Sequence, residues 1–246
     1  MYEEENEQTL VLIKPDALKN SLTGFVLSQL SEFHTGLRFA GAKIVHVSRM
    51  LAEEHYAEHQ GKVFYPSLIE YIMGLIHYPD EPRKRRTIAL VYQGEGAVKK
   101  IRDICGPTNP HVAREKKPGC IRALGTIVPL KDAEGNDIGE RMDNLIHASA
   151  SEGEAEREIK LWFRPSDFPP FMRSFPTEVN EENYYFFKNG KFFMTHEPGS
   201  ICLIAPGDVV WKSDLEVLRN LCQEPAGSTL SGAVAAKYLI NYTIEN

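Results

Sequence analysis

One histidine of the chain stands in a sequence that suits nucleophilic chemistry. His147 lies in NLIHASAS (144–151), between a short apolar segment and a run of small and hydroxyl residues. A neutral imidazole is a competent phosphoryl acceptor at neutral pH, because its ordinary pKa of about 6.5 leaves a lone pair free. The carboxylate of Glu158 can orient the ring if the segment after His147 folds back as a helix. The alternative is a structural loop histidine, which is the more common case for a single histidine.

Basic and polar residues that end strands or lie in loops form a second group. Taken singly, each has a structural explanation, since an isolated charged side chain is usually solvated or ion-paired. Taken together, two guanidinium groups and a lysine would neutralise a polyphosphate, and a threonine hydroxyl would donate to it. The sequence thus predicts a polyphosphate site beside the histidine, if the loops converge. The group comprises Lys14, Arg102, Thr108, Asn109, Arg122 and Asn144.

The apolar pattern predicts the elements that position these residues. Branched aliphatic residues in QTLVLI (8–13) indicate a buried strand that ends at Lys14, and an amphipathic helix capped by Gly36 follows. A strand, two helices, a strand and a helix come next. We interpret residues 106–119 as a long loop and residues 129–143 as a polar insertion, because Gly, Pro and polar residues dominate both. Periodicity alone indicates an α+β fold.

The segment after His147 predicts a helix, SEGEAEREIKLWF (151–163), whose apolar residues share one face. Two overlapping S-x-x-E capping boxes, beginning at Ser149 and Ser151, mark its start. The positive end of this helix would point toward His147 and would favour an anionic phosphate there.

The sequence changes character after Arg164, where prolines and aromatic residues become frequent. We therefore place a domain boundary between residues 1–164 and an α+β extension at residues 165–246. We expect this extension to pack on the core or on a neighbouring subunit. It contains a predicted hairpin turn at Asn189-Gly190 and predicted short helices at 213–223 and 228–242.

Composition excludes several classes of protein. The chain has 246 residues, of which 42% are hydrophobic, and a net charge of −6 that argues against a general nucleic-acid binder. Its four cysteines form no CxxC pair, so neither a zinc site nor a disulfide scaffold is indicated. The N-terminus lacks a secretory pattern, and no apolar run approaches the roughly 18 residues of a membrane-spanning helix. We expect a cytoplasmic protein with no membrane partner and no specific nucleic-acid partner.

Ordered motifs across the chain resemble those of the nucleoside diphosphate kinase family. The resemblance runs from about Gln8 to about Phe163. It implies a ferredoxin-like βαββαβ sandwich, with an antiparallel sheet and helices covering one face. The motifs are TLVLIKPDAL, EHYAEHQGKVFYPSLIEYI, GPTNP, PGCIRALG and NLIHASASEGEAEREIKLWF.

The resemblance implies a role for each matching residue. His147 matches the family's phosphoryl acceptor, Glu158 with Ser149 matches the pair that orients the ring, and Tyr56 matches the tyrosine beside it. Arg102, Thr108 and Arg122 match positions that bind the nucleotide phosphates. Lys14 and Asn144 match positions that hold the ribose hydroxyls and the phosphate near the histidine. Phe64 matches the residue that stacks on the base, and Leu68 the one that completes the slot.

Packing is the alternative for Phe64 and Leu68, because both also fit the apolar stripe of a helix. Stacking on an aromatic ring tolerates every base, so no specificity for one base is expected.

The resemblance also implies the reaction, its cofactor and its partners. A nucleoside triphosphate would phosphorylate His147, and a second nucleoside diphosphate would take the phosphate in a ping-pong cycle. Mg²⁺ would be held mainly by phosphates and water, with no metal ligands from the protein, and a homo-oligomer is expected. The alternative is a catalytically reduced nucleotide-binding or assembly protein on the same fold. A histidine-based acid hydrolase is weaker, because the sequence offers no separate general acid.

The chain departs from the family pattern at several positions. Ala17 and Ala148 stand where the family usually has glycine, which raises the question of backbone strain. Ala150 stands where an acidic residue is common. Polar insertions lie in regions where the family makes subunit contacts, so the number of subunits stays open.

Overall fold

The computed structural model describes residues 7–223 and 230–239. Its strands are β1 (Gln8–Ile13), β2 (Arg38–Val45), β3 (Thr87–Gln93), β4 (Thr126–Lys131), β5 (Asp137–Asp143), β6 (Ile146–Ala148), β7 (Thr177–Val179), β8 (Tyr185–Lys188), β9 (Lys191–Phe193), β10 (Ile201–Ile204) and β11 (Val209–Trp211). Its helices are α1 (Pro15–Lys19), α2 (Thr23–Gln29), α3 (Glu32–Thr35), α4 (Arg49–His55), α5 (Tyr65–Ile72), α6 (Ala97–Cys105), α7 (Pro110–Lys116), α8 (Glu152–Trp162), α9 (Lys212–Gln223) and α10 (Leu230–Tyr238).

An antiparallel sheet in the order β2-β3-β1-β6 forms the centre of the fold. Side chains of β1 alternate between its faces, and both sets are fully buried. Leu10 and Leu12 pack with α4, α5 and α8, whereas Val11 and Ile13 pack with α2 and α6. The ferredoxin-like α+β fold is confirmed, but the expectation that helices cover only one face is wrong. The apolar run of β1 is continuous because each of its faces meets a helical layer.

The helix predicted after β1 divides into α2 and α3, and Gly36 ends α3 in the left-handed conformation with φ of +66°. The prediction of a long loop at 106–119 is partly wrong, because α7 lies within these residues. Asn109 caps α7 by accepting hydrogen bonds from the amides of His111 and Val112. Pro110, which suggested irregular structure, occupies the first helical position, where proline is well tolerated.

The polar insertion predicted at 129–143 is also regular. Strands β4 and β5 pair as an antiparallel hairpin, with Thr126 opposite Asp143. Its side chains are mostly exposed, so the sequence shows no apolar alternation there. The base of the hairpin lies against the core, where Asp143 is buried.

The extension contains two small sheets, with strand orders β10-β8-β9 and β11-β7. The turn at Asn189-Gly190 joins β8 to β9 with φ of +49° and +77°, as the sequence predicts. Helix α9 matches the prediction at 213–223; of the predicted helix at 228–242, residues 228–229 and 240–242 lie outside the described residues.

Contacts join the extension to the core at the end of α8. Trp211 is fully buried and donates from Nε1 to the carbonyl of Phe163 at 2.8 Å. The guanidinium of Arg164 donates to the carbonyl of Tyr238 at 2.6 Å. Helix α10 packs against α4 and α8. No helix in the described part of the chain is both long enough and apolar enough to cross a bilayer.

Candidate active site

His147 lies on β6, opposite Leu12 of the central strand. Its side chain is 18% exposed and borders a cavity of about 330 Å³. The short β6 strand places the ring at the junction of the sheet and the start of α8. The ring therefore has a rigid base and an open side.

A chain of hydrogen bonds fixes the ring of His147. Its Nε2 lies 2.9 Å from Oε2 of Glu158, and the Ser149 hydroxyl donates to the same oxygen at 2.6 Å. Ser149 in turn accepts from the amide of Leu10. Because a carboxylate accepts, Nε2 carries the proton, and the lone pair of the neutral ring lies on Nδ1. Nδ1 is the nitrogen that remains available for bond formation.

Glu158 is ionised despite its burial. Burial acts to raise its pKa, but attraction to His147 and the hydrogen bonds from His147 and Ser149 lower the pKa to about 2. Glu158 lies on the buried face of α8 and is 3% exposed. A fixed negative charge therefore stands behind the imidazole at every physiological pH.

His55, which the sequence analysis missed, forms the other wall behind His147. The two imidazole rings lie edge to face at 4.6 Å between centroids. Nδ1 of His55 accepts from the Trp162 indole at 3.2 Å, and burial, the largest cause, keeps its pKa well below the ordinary value. His55 is therefore neutral. The signal was available, because Leu51 and His55 are four residues apart on the buried face of α4.

Arg157 was missed as well. Its guanidinium donates to the carbonyls of Glu54 and His55 and lies 3.8 Å from Oε1 of Glu158. It joins the C-terminal end of α4 to α8, so the two helices that carry His55 and Glu158 are held together. A surface arginine in a helix gives no sequence signal for this contact.

The polar end of the cavity begins at Lys14, which follows β1. Its ammonium group donates to Asn144 Oδ1 at 2.7 Å, and the Asn144 amide donates to the carbonyl of Thr108 at 2.9 Å. Burial lowers the pKa of Lys14 to about 8, while Asp16 acts to raise it. The hydrogen bonds link three separate loops, so the convergence on which the predicted site depends is present.

Two arginines complete this end of the cavity. Arg122 is 4% exposed and donates to the carbonyls of Gly106 and Ile146, and Arg102 donates to the carbonyl of Ala148. These contacts are to neutral carbonyls, so neither guanidinium is neutralised by a carboxylate partner there. Their positive charges therefore remain available to an anion in the cavity.

The apolar end of the cavity lies toward α5. Phe64 and Leu68 are four residues apart on one face of this helix, and both border the cavity. Leu68 also packs against the core, whereas Phe64 belongs to none of the described core clusters. Tyr56 lies nearer the histidine, with its ring perpendicular to that of His147 at 6.5 Å. Burial raises the pKa of Tyr56, and its hydroxyl has no hydrogen-bond partner among the described residues.

The predicted site residues thus come together, with two exceptions: Ser149 lies behind His147 and does not border the cavity, and Asn109 caps α7 instead. Neither predicted capping box forms completely: Ser151 Oγ accepts from the amide of Glu154, but the Glu154 carboxylate accepts from the amide of Ala150, and Ser149 contacts Glu158 instead. Neither Ala17 nor Ala148 has a positive φ, so the replacement of glycine by alanine causes no backbone strain at these two positions. The predicted residues that border the cavity are Lys14, Tyr56, Phe64, Leu68, Arg102, Thr108, Arg122, Asn144, His147 and Glu158.

Backbone strain lies instead at Leu145, which has φ of +68°. Its amide donates to the Asp16 carboxylate at 2.9 Å, and its carbonyl accepts from the amide of Lys14 at 2.9 Å. A bulky residue in this conformation costs about 1–3 kcal/mol, which these contacts must offset.

One group of possible metal ligands occurs among the described residues. Atoms of His55, His147 and Glu158 lie within 4.8 Å of one another. Mg²⁺ prefers oxygen ligands, whereas two of these three residues offer nitrogen. Glu158 already accepts two hydrogen bonds. A hard divalent cation therefore fits the oxygens of a bound phosphate better than it fits this group.

The ferredoxin-like sandwich and a cavity that combines an oriented imidazole with three cationic side chains define a phosphotransferase. Comparison with known proteins is more specific. The family model described as "Nucleoside diphosphate kinase" matches residues 7–168. The chain belongs to the nucleoside diphosphate kinase family.

Relatives with that name come from archaea and bacteria. The protein of Pyrococcus furiosus is 37% identical over 170 residues, which cover 69% of this chain and 91% of the relative. That of Staphylococcus epidermidis is 37% identical over 165 residues, covering 67% and 93%.

Solved structures agree with these matches. The nucleoside diphosphate kinase of Aquifex aeolicus has a TM-score of 0.52 and 29% identity, covering 66% of this chain and 99% of the other. That of Halobacterium salinarum in complex with CDP has a TM-score of 0.51 and 31% identity, covering 67% and 91%.

Proposed function

We propose that this nucleoside diphosphate kinase carries the phosphoryl group on Nδ1 of His147, in a ping-pong cycle between a nucleoside triphosphate and a nucleoside diphosphate. The observation that supports this most is the hydrogen bond from Nε2 to Glu158, which leaves the lone pair on Nδ1 at the open side of the ring. In the first half-reaction Nδ1 forms a bond to the terminal phosphorus and the bond to the bridging oxygen breaks. The diphosphate leaves, and a second diphosphate reverses the step.

Charge stabilisation follows from the same contacts. Bond formation at Nδ1 makes the ring cationic, and the ionised Glu158 stabilises that cation through Nε2–H. Arg102, Arg122 and Lys14 neutralise the phosphates. The Tyr56 hydroxyl, which is buried without a partner among the described residues, is available to donate to a phosphate oxygen.

The nucleoside occupies the rest of the cavity in this proposal. Lys14 and Asn144 hold the ribose hydroxyls, and Thr108 donates to the phosphates. Phe64 stacks on the base and Leu68 closes the slot. The partial exposure of Phe64, and its absence from the described core clusters, support stacking over packing.

Phosphoryl transfer in this family requires a divalent metal, and we propose Mg²⁺. It would be held by phosphate oxygens and water, because two of the three residues in the group of possible metal ligands offer nitrogen. When bound, it would neutralise phosphate charge.

The proposal is tested by incubating the protein with a γ-labelled nucleoside triphosphate. We expect an acid-labile phosphoenzyme that a nucleoside diphosphate discharges, and no labelling of the His147→Gln variant. His111→Gln is a matched control, because His111 is an exposed histidine on α7. Full labelling of His147→Gln would refute the assignment. A labelled enzyme that no diphosphate discharges would favour the catalytically reduced alternative.

We also propose that residues 1–164 form the catalytic unit and residues 165–246 an extension packed on it, in a homo-oligomeric cytoplasmic protein. The burial of Trp211 against Phe163 supports the first part. The position of β2 at the edge of the central sheet supports self-association. Sedimentation of the full chain measures the number of subunits, and a monomer at all concentrations would refute self-association.

A further inference from the structure

Strand β5 forms a wall of the apolar end of the cavity. Its residues Glu140, Arg141 and Met142 border the cavity together with Phe64 and Leu68. A Cβ atom added at Gly139 would lie 3.7 Å from Val63, so the strand runs beside the start of α5. The hairpin therefore faces the space that the proposed function assigns to the base.

Arg141 is fixed beside the face of α5 that carries Phe64 and Leu68. Positions 64, 67, 68 and 71 recur at helical spacing and share this face. Nη1 of Arg141 donates to the Ser67 hydroxyl at 3.1 Å, and its guanidinium carbon lies 6.0 Å from the centre of the Tyr71 ring. The guanidinium group thus lies next to the residue proposed to stack on the base.

Asp143 fixes the other side of the guanidinium group. Nε and Nη2 of Arg141 donate to its two oxygens at 2.6 and 3.1 Å. Asp143 is also hydrogen-bonded to Nε2 of His77 at 3.1 Å. Burial acts to raise the pKa of Asp143, but the contacts with His77 and Arg141 lower it. Arg141 is 11% exposed, so its orientation is set by the protein and not by solvent.

The guanidinium group retains hydrogen-bonding capacity. It has five N–H donors, of which Ser67 and Asp143 engage three. One donor on Nη1 and one on Nη2 have no partner among the described residues. Donors beside a base slot favour a base that presents acceptors. Guanine presents O6 and N7 and uracil presents O4, whereas adenine and cytosine present an amino group at the corresponding position.

We propose that Arg141 makes the enzyme prefer oxo bases (guanine, hypoxanthine, uracil and thymine) over the amino bases adenine and cytosine. The inference rests on the proposed function only in taking this cavity as the nucleotide site. Stacking on Phe64 admits every base, so the preference is graded and not absolute. If Arg141 only fastened the hairpin to α5, the identity of the base would make no difference.

Inosine and adenosine diphosphates test the inference, because their bases differ only at the six-position and the adjacent ring nitrogen. We expect wild-type protein to bind inosine diphosphate about tenfold more tightly than adenosine diphosphate, by equilibrium titration with Mg²⁺ present. The same ratio is expected in kcat/KM for discharge of the phosphoenzyme. Arg141→Leu is expected to bring both ratios close to one. Lys131→Leu, which removes an exposed positive charge from the same hairpin, is expected to leave them unchanged.

Equal binding of the two nucleotides by wild-type protein would overturn the inference, even if Arg141→Leu failed to fold. An unchanged ratio in folded Arg141→Leu would overturn it too. Because the titration needs no catalysis, absence of a phosphoenzyme would refute the proposed function and leave this test intact.

Discussion

Replacing Glu158 with Gln separates the charge of this residue from its shape. Gln keeps the length of the side chain and an oxygen that can accept from His147 Nε2–H. It lacks the negative charge that, in the proposed mechanism, stabilises the ring when Nδ1 gains a phosphoryl group. The 2.9 Å contact and the pKa of about 2 show strong coupling between the carboxylate and the imidazole.

The expected loss of rate follows from the contact between Glu158 and His147. A hydrogen bond to a charged group contributes about 1.5–3 kcal/mol. The Coulomb attraction of two unit charges about 4 Å apart is about 4 kcal/mol at the effective dielectric constant of a protein surface. Part of the hydrogen bond survives in the amide. We therefore expect Glu158→Gln to lose about 2 kcal/mol of transition-state stabilisation, which is roughly a thirty-fold slower phosphorylation.

The assay is rapid-quench measurement of the first half-reaction with a γ-labelled nucleoside triphosphate. Glu154→Gln is the matched control: Glu154 borders the same cavity, but its carboxylate accepts from the amide of Ala150. Phosphorylation of Glu158→Gln at the wild-type rate would refute the reasoning. An equal loss in Glu154→Gln would show that the effect comes from the overall charge of the cavity and not from this contact.

Three further predictions concern pH and buried charge. The pKa of Glu158 is lower in the folded protein than in the unfolded chain, so ionised Glu158 stabilises the fold above about pH 4.5, and this stabilisation is lost as the pH falls toward 2. Urea unfolding should therefore show that the free energy of unfolding of wild type falls by about 3 kcal/mol relative to that of Glu158→Gln between about pH 5 and pH 2. Lys14, whose pKa is about 8, loses its charge above that pH. Binding titrations should therefore show weaker nucleotide binding above about pH 8, and Lys14→Met should bind nucleotide weakly without this pH dependence. Lys237→Met leaves the buried Asp214 unpaired and should lower the free energy of unfolding by about 3–5 kcal/mol, which Asp214→Leu in the same chain should largely restore.

Each of these predictions has a clear contrary result. A stability difference between wild type and Glu158→Gln that stays constant with pH would show that the carboxylate is not coupled to its surroundings. Nucleotide binding that stays flat to about pH 10 would show that Lys14 keeps its proton. Failure of the double variant to recover stability would show that the methylene groups of Lys237, and not its charge, stabilise the extension.

Several elements, including the two that flank His147 in the fold, were predictable because their patterns are local. The continuous apolar run of β1 indicates a buried strand, and the helical period of α8 with its N-cap indicates an amphipathic helix. The turn at Asn189-Gly190 follows from backbone preference alone. The polar end of the cavity was predictable only from the combination of its residues, because each of them alone has a structural explanation.

The sequence gives less information where burial depends on distant partners. The spacing of Leu51 and His55 indicates that His55 is buried, but not that it meets Trp162 and Glu158, which lie more than a hundred positions further along the chain. The β4–β5 hairpin has exposed faces, so its strands lack the alternation that marks a half-buried sheet. Arg141 reads as a surface charge in sequence, although Ser67 and Asp143 hold it beside the cavity.

The left-handed backbone at Leu145 shifts the phase of the segment that leads to His147. In a regular strand neighbouring side chains point to opposite faces, yet Leu145 and Ile146 pack in the same apolar cluster. The parity of the side chains in β6 is therefore reversed relative to Asn144. Asn144 and His147, three positions apart, therefore have the same parity, and both border the cavity.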